Sequence, residues 1–149
     1  MDELWLNMSF WSALCGWMVA QITKMICFFA QTRRIKPSYL ISTGGMPSAH
    51  SAMACALATS VGLEAGLRSP LFAVTLAFAI VVMFDAQSVR RAAGIQARII
   101  NQMIEELFKH HRFAEEKLAE LLGHTRLEVF MGLLTGILSA LLVYGLMAA

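Results

Sequence analysis

The chain is organised around one polar stretch, Gly44-Gly45-Met46-Pro47-Ser48-Ala49-His50-Ser51, which runs directly into an apolar segment. Adjacent glycines adopt backbone conformations that are closed to other residues, and proline is favoured at the first position of a helix. We therefore predict a turn followed by a helix whose first turn contains Ser48, Ala49 and His50. Because the unpaired amides of a helix start attract anions, the stretch predicts an anion site that also carries a hydroxyl and an imidazole.

The composition is that of a membrane protein. Of 149 residues, 58% are hydrophobic and 15% are charged, and the mean hydropathy is +0.63. A soluble domain carries about 25% charged residues. The net charge of +2 does not indicate a nucleic-acid partner. Cys15, Cys27 and Cys55 lie in apolar segments without CxxC spacing, so we interpret them as reduced thiols rather than disulfide or metal ligands.

Four apolar segments predict an all-α, polytopic membrane bundle that forms a single domain over residues 1–149. They are Leu4 to about Ala30, Pro47 to Leu63, Leu71 to Phe84 and Val129 to Ala149. About 20 apolar residues cross the hydrocarbon core of a bilayer. The second segment is short and rich in alanine, so we expect the other helices to surround it. In the fourth, Gly132 and Gly136 have the GxxxG spacing of closely packed helices.

Residues 92–123, between the third and fourth spans, form a different kind of segment. Apolar residues recur there at spacings of three and four, which is typical of an amphipathic helix or pair of helices. We expect this insertion to lie on the membrane surface or to cover a site. The adjacent His110 and His111 cannot share one helical face, so we predict no zinc site there.

The distribution of charge predicts the orientation in the membrane. With four spans, residues 31–46 and 85–128 lie on one side, and together with Lys24 they hold every Lys and Arg except Arg68. Cytoplasmic loops are enriched in Lys and Arg. We therefore predict a multi-pass protein of the inner (cytoplasmic) membrane, with this basic side facing the cytoplasm.

The same side collects the polar residues that are suited to chemistry. These are Arg33, Arg34, Lys36, Ser48, His50, Asp85, Ser88, Arg90, Arg91, His124 and Glu128. His124 and Glu128 are four residues apart, so on a helix the carboxylate can fix the tautomer of the imidazole and raise its basicity. Such a histidine is prepared to act as a nucleophile or general base. His50 is placed to protonate a leaving group, and arginines donate to phosphoryl oxygens.

Pro47-Ser48-Ala49-His50 and Gly123-His124-Thr125-Arg126-Leu127-Glu128-Val129, in this order and with Asp85 to Gly94 between them, resemble a known set of motifs. The chain resembles the type 2 phosphatidic acid phosphatase superfamily, specifically its divergent branch of small bacterial and plastid membrane proteins. The superfamily pattern is a Lys/Arg motif, then PSGH, then SRxxxxxHxxxD. The resemblance implies hydrolysis of a phosphomonoester or diphosphate of a membrane lipid, without a metal or other cofactor.

The resemblance also implies roles for individual residues. His124 would attack phosphorus to give a phosphohistidine, Glu128 would orient and charge-stabilise His124, and His50 would protonate the leaving oxygen. Phosphoryl oxygens would be held by Ser48, the neighbouring amide of Ala49, Arg91, Arg90 and Arg34. Lys24, Arg33 and Lys36, with Asp85 and Ser88, are candidates for supporting roles.

Three departures from the superfamily pattern stand out. The KxxxxxxRP spacing is absent, so Lys24, Arg33, Arg34 and Lys36 all remain candidates for the Lys/Arg motif. Glu128 replaces the aspartate of the third motif. The arginine and histidine halves of that motif are separated by residues 92–123, which a helical hairpin would have to bring together again.

Other interpretations compete with the catalytic ones. We favour a role for Lys24 in snorkelling to the interface, and a role for Asp85 in an ion pair. Arg90 serves as a topological anchor more readily than Arg91, and Glu128 also suits the positive end of a helix dipole. The alternative function is a non-catalytic membrane protein that binds anionic lipid headgroups or a protein partner. Self-association is left open.

Overall fold

The architecture is a helical bundle. The computed structural model describes residues 2–34, 45–107 and 124–147. All regular elements in these ranges are helices, namely α1 (Asp2–Trp5), α2 (Met8–Thr32), α3 (Ala49–Ala65), α4 (Pro70–Gln87), α5 (Val89–Leu107) and α6 (Arg126–Met147). The prediction of an all-α chain is confirmed for this part of the molecule.

Three stretches of the described residues are helical, long and apolar enough to cross a membrane. They are Met8–Thr32, Pro70–Ile104 and Arg126–Met147. The remaining long helix of the bundle, α3, has 17 residues and packs against α2, α4 and α6. The chain is therefore an all-α membrane bundle, as predicted, although three helical stretches of the described residues, rather than four, reach spanning length.

The first predicted span is divided into two helices, which the sequence did not indicate. The side chain of Asn7 accepts a hydrogen bond from the amide of Phe10 at 2.9 Å and caps α2, so the chain turns between α1 and α2. Stacked rings of Trp5 and Trp11, 5.3 Å apart, fix this turn. At the other end α2 stops where Arg33 adopts a left-handed backbone with φ of 54°.

Helix α3 is the centre of the bundle, as its small side chains predicted. A Cβ added to Gly132 would lie 2.5 Å from the carbonyl oxygen of Ser48, and one added to Gly16 would lie 2.9 Å from that of Ala52. A Cβ added to Gly136 would lie closer still to the carbonyl oxygen of Ala52. Backbones that approach this closely leave no room for larger side chains, which confirms the interpretation of the GxxxG pair.

The ends of α2 and α4 and the starts of α3 and α6 lie together at one end of the bundle. The amide of Ser48 before α3 donates to the carbonyl of Glu128 in α6 at 2.9 Å, and the amide of His124 donates to the carbonyl of Ala86 in α4 at 3.0 Å. At the opposite end, the hydroxyl of Ser9 in α2 contacts Glu64 in α3 at 3.2 Å. Thus α2 and α4 finish, and α3 and α6 begin, at what we call the polar end.

Helix α5 follows α4 after Ser88 and is amphipathic. Ile95, Ile99 and Met103 are exposed on one side, while Ala97 and Asn101 are buried on another. The predicted amphipathic insertion is thus confirmed for residues 92–104. Residues 108–123, with His110, His111 and Gly123, lie outside the described ranges.

Candidate active site

The start of α3 differs in detail from the prediction. Ser48 is not in the first helical turn but is the N-cap, with its Oγ accepting from the amide of Ser51 at 3.4 Å and from the Ser51 hydroxyl at 3.0 Å. Pro47 precedes the cap and follows a cis peptide bond. The helix starts one residue later than expected because serine is a strong N-cap. Gly45 has a φ of 91°, so the turn does require glycine.

The start of α6 is closed by a capping box. The amide of Thr125 donates to Glu128 Oε2 at 2.9 Å, and Thr125 Oγ accepts from the amide of Glu128 at 3.2 Å. These reciprocal bonds satisfy two donors at the helix start. Glu128 therefore serves the helix terminus, as one interpretation of the sequence held, and is still able to contact a neighbouring side chain.

That neighbour is His124, whose Nδ1 lies 3.1 Å from Glu128 Oε2. His124 precedes the helix and is 2% exposed. An ionised carboxylate only accepts hydrogen bonds, so Nδ1 must carry the proton in this pair. The lone pair of the neutral imidazole then resides on Nε2, the arrangement that a nucleophilic histidine requires.

The backbone brings the two halves of the predicted third motif together. The carbonyl of Ala86, the last residue but one of α4, accepts from the amide of His124. Because α4 gives way to α5 at Ser88, this carbonyl is available to a partner outside the helix. Arg90 and Arg91 lie in the first turn of α5, a few residues along the backbone from this junction.

Lys24 occupies a different position from the one we favoured. It is 3% exposed within α2, and Glu128 acts on it electrostatically. A snorkelling lysine would extend along the surface towards water, so that interpretation is wrong. Lys24 instead brings a cation to the His124–Glu128 pair.

A cavity of about 350 Å³ opens beside this pair, between α2 and the start of α6. Its polar lining comes from Lys24, Gln31, Thr125 and Glu128, and the rest from Cys27, Phe28, Gly45, Met46 and Leu127. Of the predicted site residues, Lys24 and Glu128 line it. His124 and Ser48 lie behind the lining, both nearly inaccessible.

Several predicted residues lie at the polar end without lining the cavity. His50, in the first turn of α3, is exposed, whereas Ala49 beside it is 2% exposed. Arg33 and Arg34 follow the end of α2 and are exposed. Lys36 lies outside the described residues.

The predicted supporting residues of α4 lie at its last turn. Ser88 is the C-cap of α4, and both its amide, at 2.9 Å, and its Oγ, at 2.6 Å, donate to the carbonyl of Phe84. Asp85 is half-buried. The side chains of Arg90 and Arg91 are not described.

Sequence reasoning missed Thr125 and Gln31 as site residues. Thr125-Arg126-Leu127-Glu128 has the Ser/Thr-x-x-Glu pattern of a capping box, so this signal was readable. Nothing in the sequence marks Gln31. Within residues 2–34, 45–107 and 124–147, no group of three or more His, Cys, Asp or Glu side chains is placed to hold a metal.

The fold and the polar end together define a helical membrane protein in which a buried histidine contacts a half-buried glutamate. The model of the divergent PAP2 family matches residues 5–139, and the chain belongs to this family. The resemblance drawn from the motifs is thereby confirmed. The chain is 44% identical, over 95% of its length and 96% of the relative, to the "Uncharacterized membrane protein YuiD" of Bacillus subtilis (strain 168). No solved structure gives a significant match.

Proposed function

We propose that this protein is a membrane-embedded phosphatase that removes phosphate from a lipid phosphomonoester or diphosphate through a phosphohistidine. The observation that carries the proposal is the 3.1 Å contact between His124 Nδ1 and Glu128 Oε2, beside a cavity into which Lys24 brings a cation. Membership of the divergent PAP2 family supports a phosphatase-like role.

The first chemical step forms the covalent intermediate. The lone pair of His124 Nε2 attacks phosphorus, and the bond between phosphorus and the leaving oxygen breaks with its electron pair. His50, exposed in the first turn of α3, donates the proton that the leaving oxygen takes. Glu128 stabilises the positive charge that develops on the imidazole of His124.

The second step returns the enzyme to its starting state. Water attacks phosphorus and gives a proton to the now neutral His50, while the electrons of the N–P bond return to His124 Nε2. Inorganic phosphate leaves, and both histidines recover their original protonation. No redox partner and no metal is needed for the balance.

The electrostatics of the polar end favour a phosphoryl group. Two helices, α3 and α6, begin there, and the positive ends of their dipoles attract anions. The cavity adds the ammonium of Lys24. Arg34 and the arginines at the start of α5 supply further cations, with Arg91 as our first candidate for direct phosphoryl contact.

The cavity also fits the amphiphilic character of a lipid phosphate. Phe28, Met46 and Leu127 provide apolar walls next to the polar ones. The side chain of His124 is 1% exposed, so a substrate reaches Nε2 only after the neighbouring residues move aside. Phosphatidylglycerophosphate, phosphatidic acid and isoprenyl diphosphate are all compatible substrates.

The direct test is phosphate release from these three lipids by the purified protein. We expect wild type to release phosphate, and His124→Ala and His50→Ala to release at least about 10²-fold less. Gly145→Ala is the matched control, because no atom lies within 4 Å of the added Cβ. Equal rates in all variants would refute the mechanism. An acid-labile, alkali-stable phosphate on wild type that is absent from His124→Ala would identify the intermediate.

The alternative, a non-catalytic protein that binds anionic headgroups, is favoured by the inaccessibility of the His124 side chain. It predicts no phosphate release from any lipid, but saturable binding to vesicles that contain phosphatidic acid. Lys24→Met would weaken this binding, because the cavity would lose its cation.

We also propose that the polar end faces the cytoplasm. In a variant that lacks Cys15, Cys27 and Cys55, an impermeant thiol reagent added to intact cells should leave Arg34→Cys unlabelled and label Arg68→Cys. Both positions are exposed, and they lie at opposite ends of the bundle. The reverse labelling pattern would place the polar end outside.

A further inference from the structure

Thr125 contacts Glu128 twice, although the proposed chemistry assigns it no role. Its amide donates to Glu128 Oε2 at 2.9 Å, and its Oγ accepts from the amide of Glu128 at 3.2 Å. The same oxygen, Oε2, lies 3.1 Å from His124 Nδ1. One carboxylate oxygen is therefore held between the backbone of Thr125 and the ring of His124.

The glutamate side chain is long and flexible, so the contacts with Thr125 matter for where the Glu128 carboxylate lies. Glutamate has several rotatable bonds and loses substantial conformational entropy when it is fixed. Glu128 is partly exposed at the cavity, so water and Lys24 compete for its oxygens. A carboxylate that swings towards Lys24 would release Nδ1 of His124, and the ring would no longer be held in one tautomer.

We propose that Thr125 is a positioning residue that holds the Glu128 carboxylate against His124 and thereby fixes the imidazole with Nε2 towards the substrate. As a statement about catalysis, this inference rests on the proposed phosphatase function. As a statement about the tautomer of His124, it stands without it. Thr125 Oγ acts by fixing the first turn of α6, from which the Glu128 side chain extends.

Two simpler roles for Thr125 make different predictions. A residue that only caps α6 would affect stability and leave the turnover of the folded protein unchanged. Thr125 is exposed and lines the cavity, so a residue that only contacts the substrate would affect KM. A positioning residue changes kcat and the tautomer of His124 together.

The experiment compares wild type, Thr125→Val and Thr125→Ser as full-length protein in detergent micelles. Valine has the shape of threonine without the acceptor, and serine restores the acceptor. With phosphatidic acid as the probe substrate, we expect Thr125→Val to lower kcat about 10²-fold, the effect of a small misplacement, while Thr125→Ser stays within about threefold of wild type. KM should change by less than about twofold.

The second readout is ¹⁵N NMR of the histidine side chains, with His124→Ala used to assign the signal of His124. Wild type and Thr125→Ser should show the Nδ1–H form, and Thr125→Val should shift towards the Nε2–H form that a free histidine prefers. Thr125→Gly provides the same comparison if Thr125→Val does not fold, because glycine costs little at an N-cap.

Three outcomes would decide the question. If Thr125→Val keeps both the tautomer and the kcat of wild type, or changes KM alone, the positioning role is refuted. If wild type hydrolyses no lipid but Thr125→Val still loses the Nδ1–H form, the phosphatase proposal fails and the positioning role stands. If serine does not restore what valine removes, the Oγ acceptor is not the cause and the inference is overturned.

Discussion

The contact between α3 and α6 gives the sharpest test of the structure, through Gly132→Ala. The added Cβ would lie 2.5 Å from the carbonyl oxygen of Ser48 and 2.9 Å from the Cβ of Ser51. Non-bonded atoms are at optimal separation near about 3.5 Å, so the two helix starts must move apart by about 1 Å. None of these contacts is to the end of a flexible side chain that could turn away.

Two effects of Gly132→Ala are expected to lower the free energy of unfolding. Overpacking of this kind costs about 1–3 kcal/mol, and stretching the 2.9 Å bond between the Ser48 amide and the Glu128 carbonyl adds about 1 kcal/mol. A loss of about 1 kcal/mol lowers the melting temperature of a chain this long by about 2–4 °C, so we expect a decrease of roughly 5–15 °C. Phosphate release should fall about 10²-fold, because His124 and Glu128 move relative to α3.

The assay is thermal unfolding in detergent, followed by tryptophan fluorescence, together with phosphate release below the transition. Gly145→Ala is the control on the same helix, since its Cβ would meet no atom within 4 Å. Alanine is also the better helix former, so this variant should melt at or slightly above the wild-type temperature. If Gly132→Ala has the same melting temperature as Gly145→Ala and keeps full activity, α3 and α6 do not approach as closely as they do in the structure.

Four other variants test single features of the polar end. Lys24→Met should lower phosphate release about 10²-fold, measured at a temperature at which thermal unfolding shows the variant to be folded; unchanged release would exclude Lys24 from the site. Glu128→Gln should keep the capping box but lower kcat about 10²-fold or more, and a lower melting temperature with unchanged kcat would contradict this. Ser48→Ala should cost about 1 kcal/mol in thermal or denaturant unfolding, against a few tenths for Ser48→Gly. Arg33→Gly should stabilise the chain by about 1 kcal/mol with activity retained, since a left-handed backbone suits glycine; destabilisation would show that the Arg33 side chain has a structural role.

Much of the bundle could be predicted because small residues mark the positions where its helices pack closely. The alanines of α3 and the spacing of Gly132 and Gly136 led directly to a central, closely packed helix, and the structure has it. The break before α2 was not foreseen, because apolar composition continues across Asn7 while a single side-chain hydrogen bond starts the helix there. Composition reports burial well and helix ends poorly.

For the site, the sequence predicted the His124–Glu128 contact from their spacing, and the structure brings the two side chains within hydrogen-bonding distance. The position of Lys24 was mistaken, because a lysine near a helix end is compatible with either face until the neighbouring helix is known. The hydrogen bond between the Ala86 carbonyl and the His124 amide could not be predicted from the sequence, for a different reason. It joins two backbones, so no residue type encodes it.

That backbone bond has a consequence for how the chain can vary. The hydrogen bond between the His124 amide and the Ala86 carbonyl holds together the two ends of the segment that lies between these residues. The entropic cost of closing a loop grows slowly with its length. Residues can therefore be added to or removed from the part of this segment that follows Arg91 with little displacement of His124, so this part of the chain can change while the arginines proposed to contact phosphate are kept.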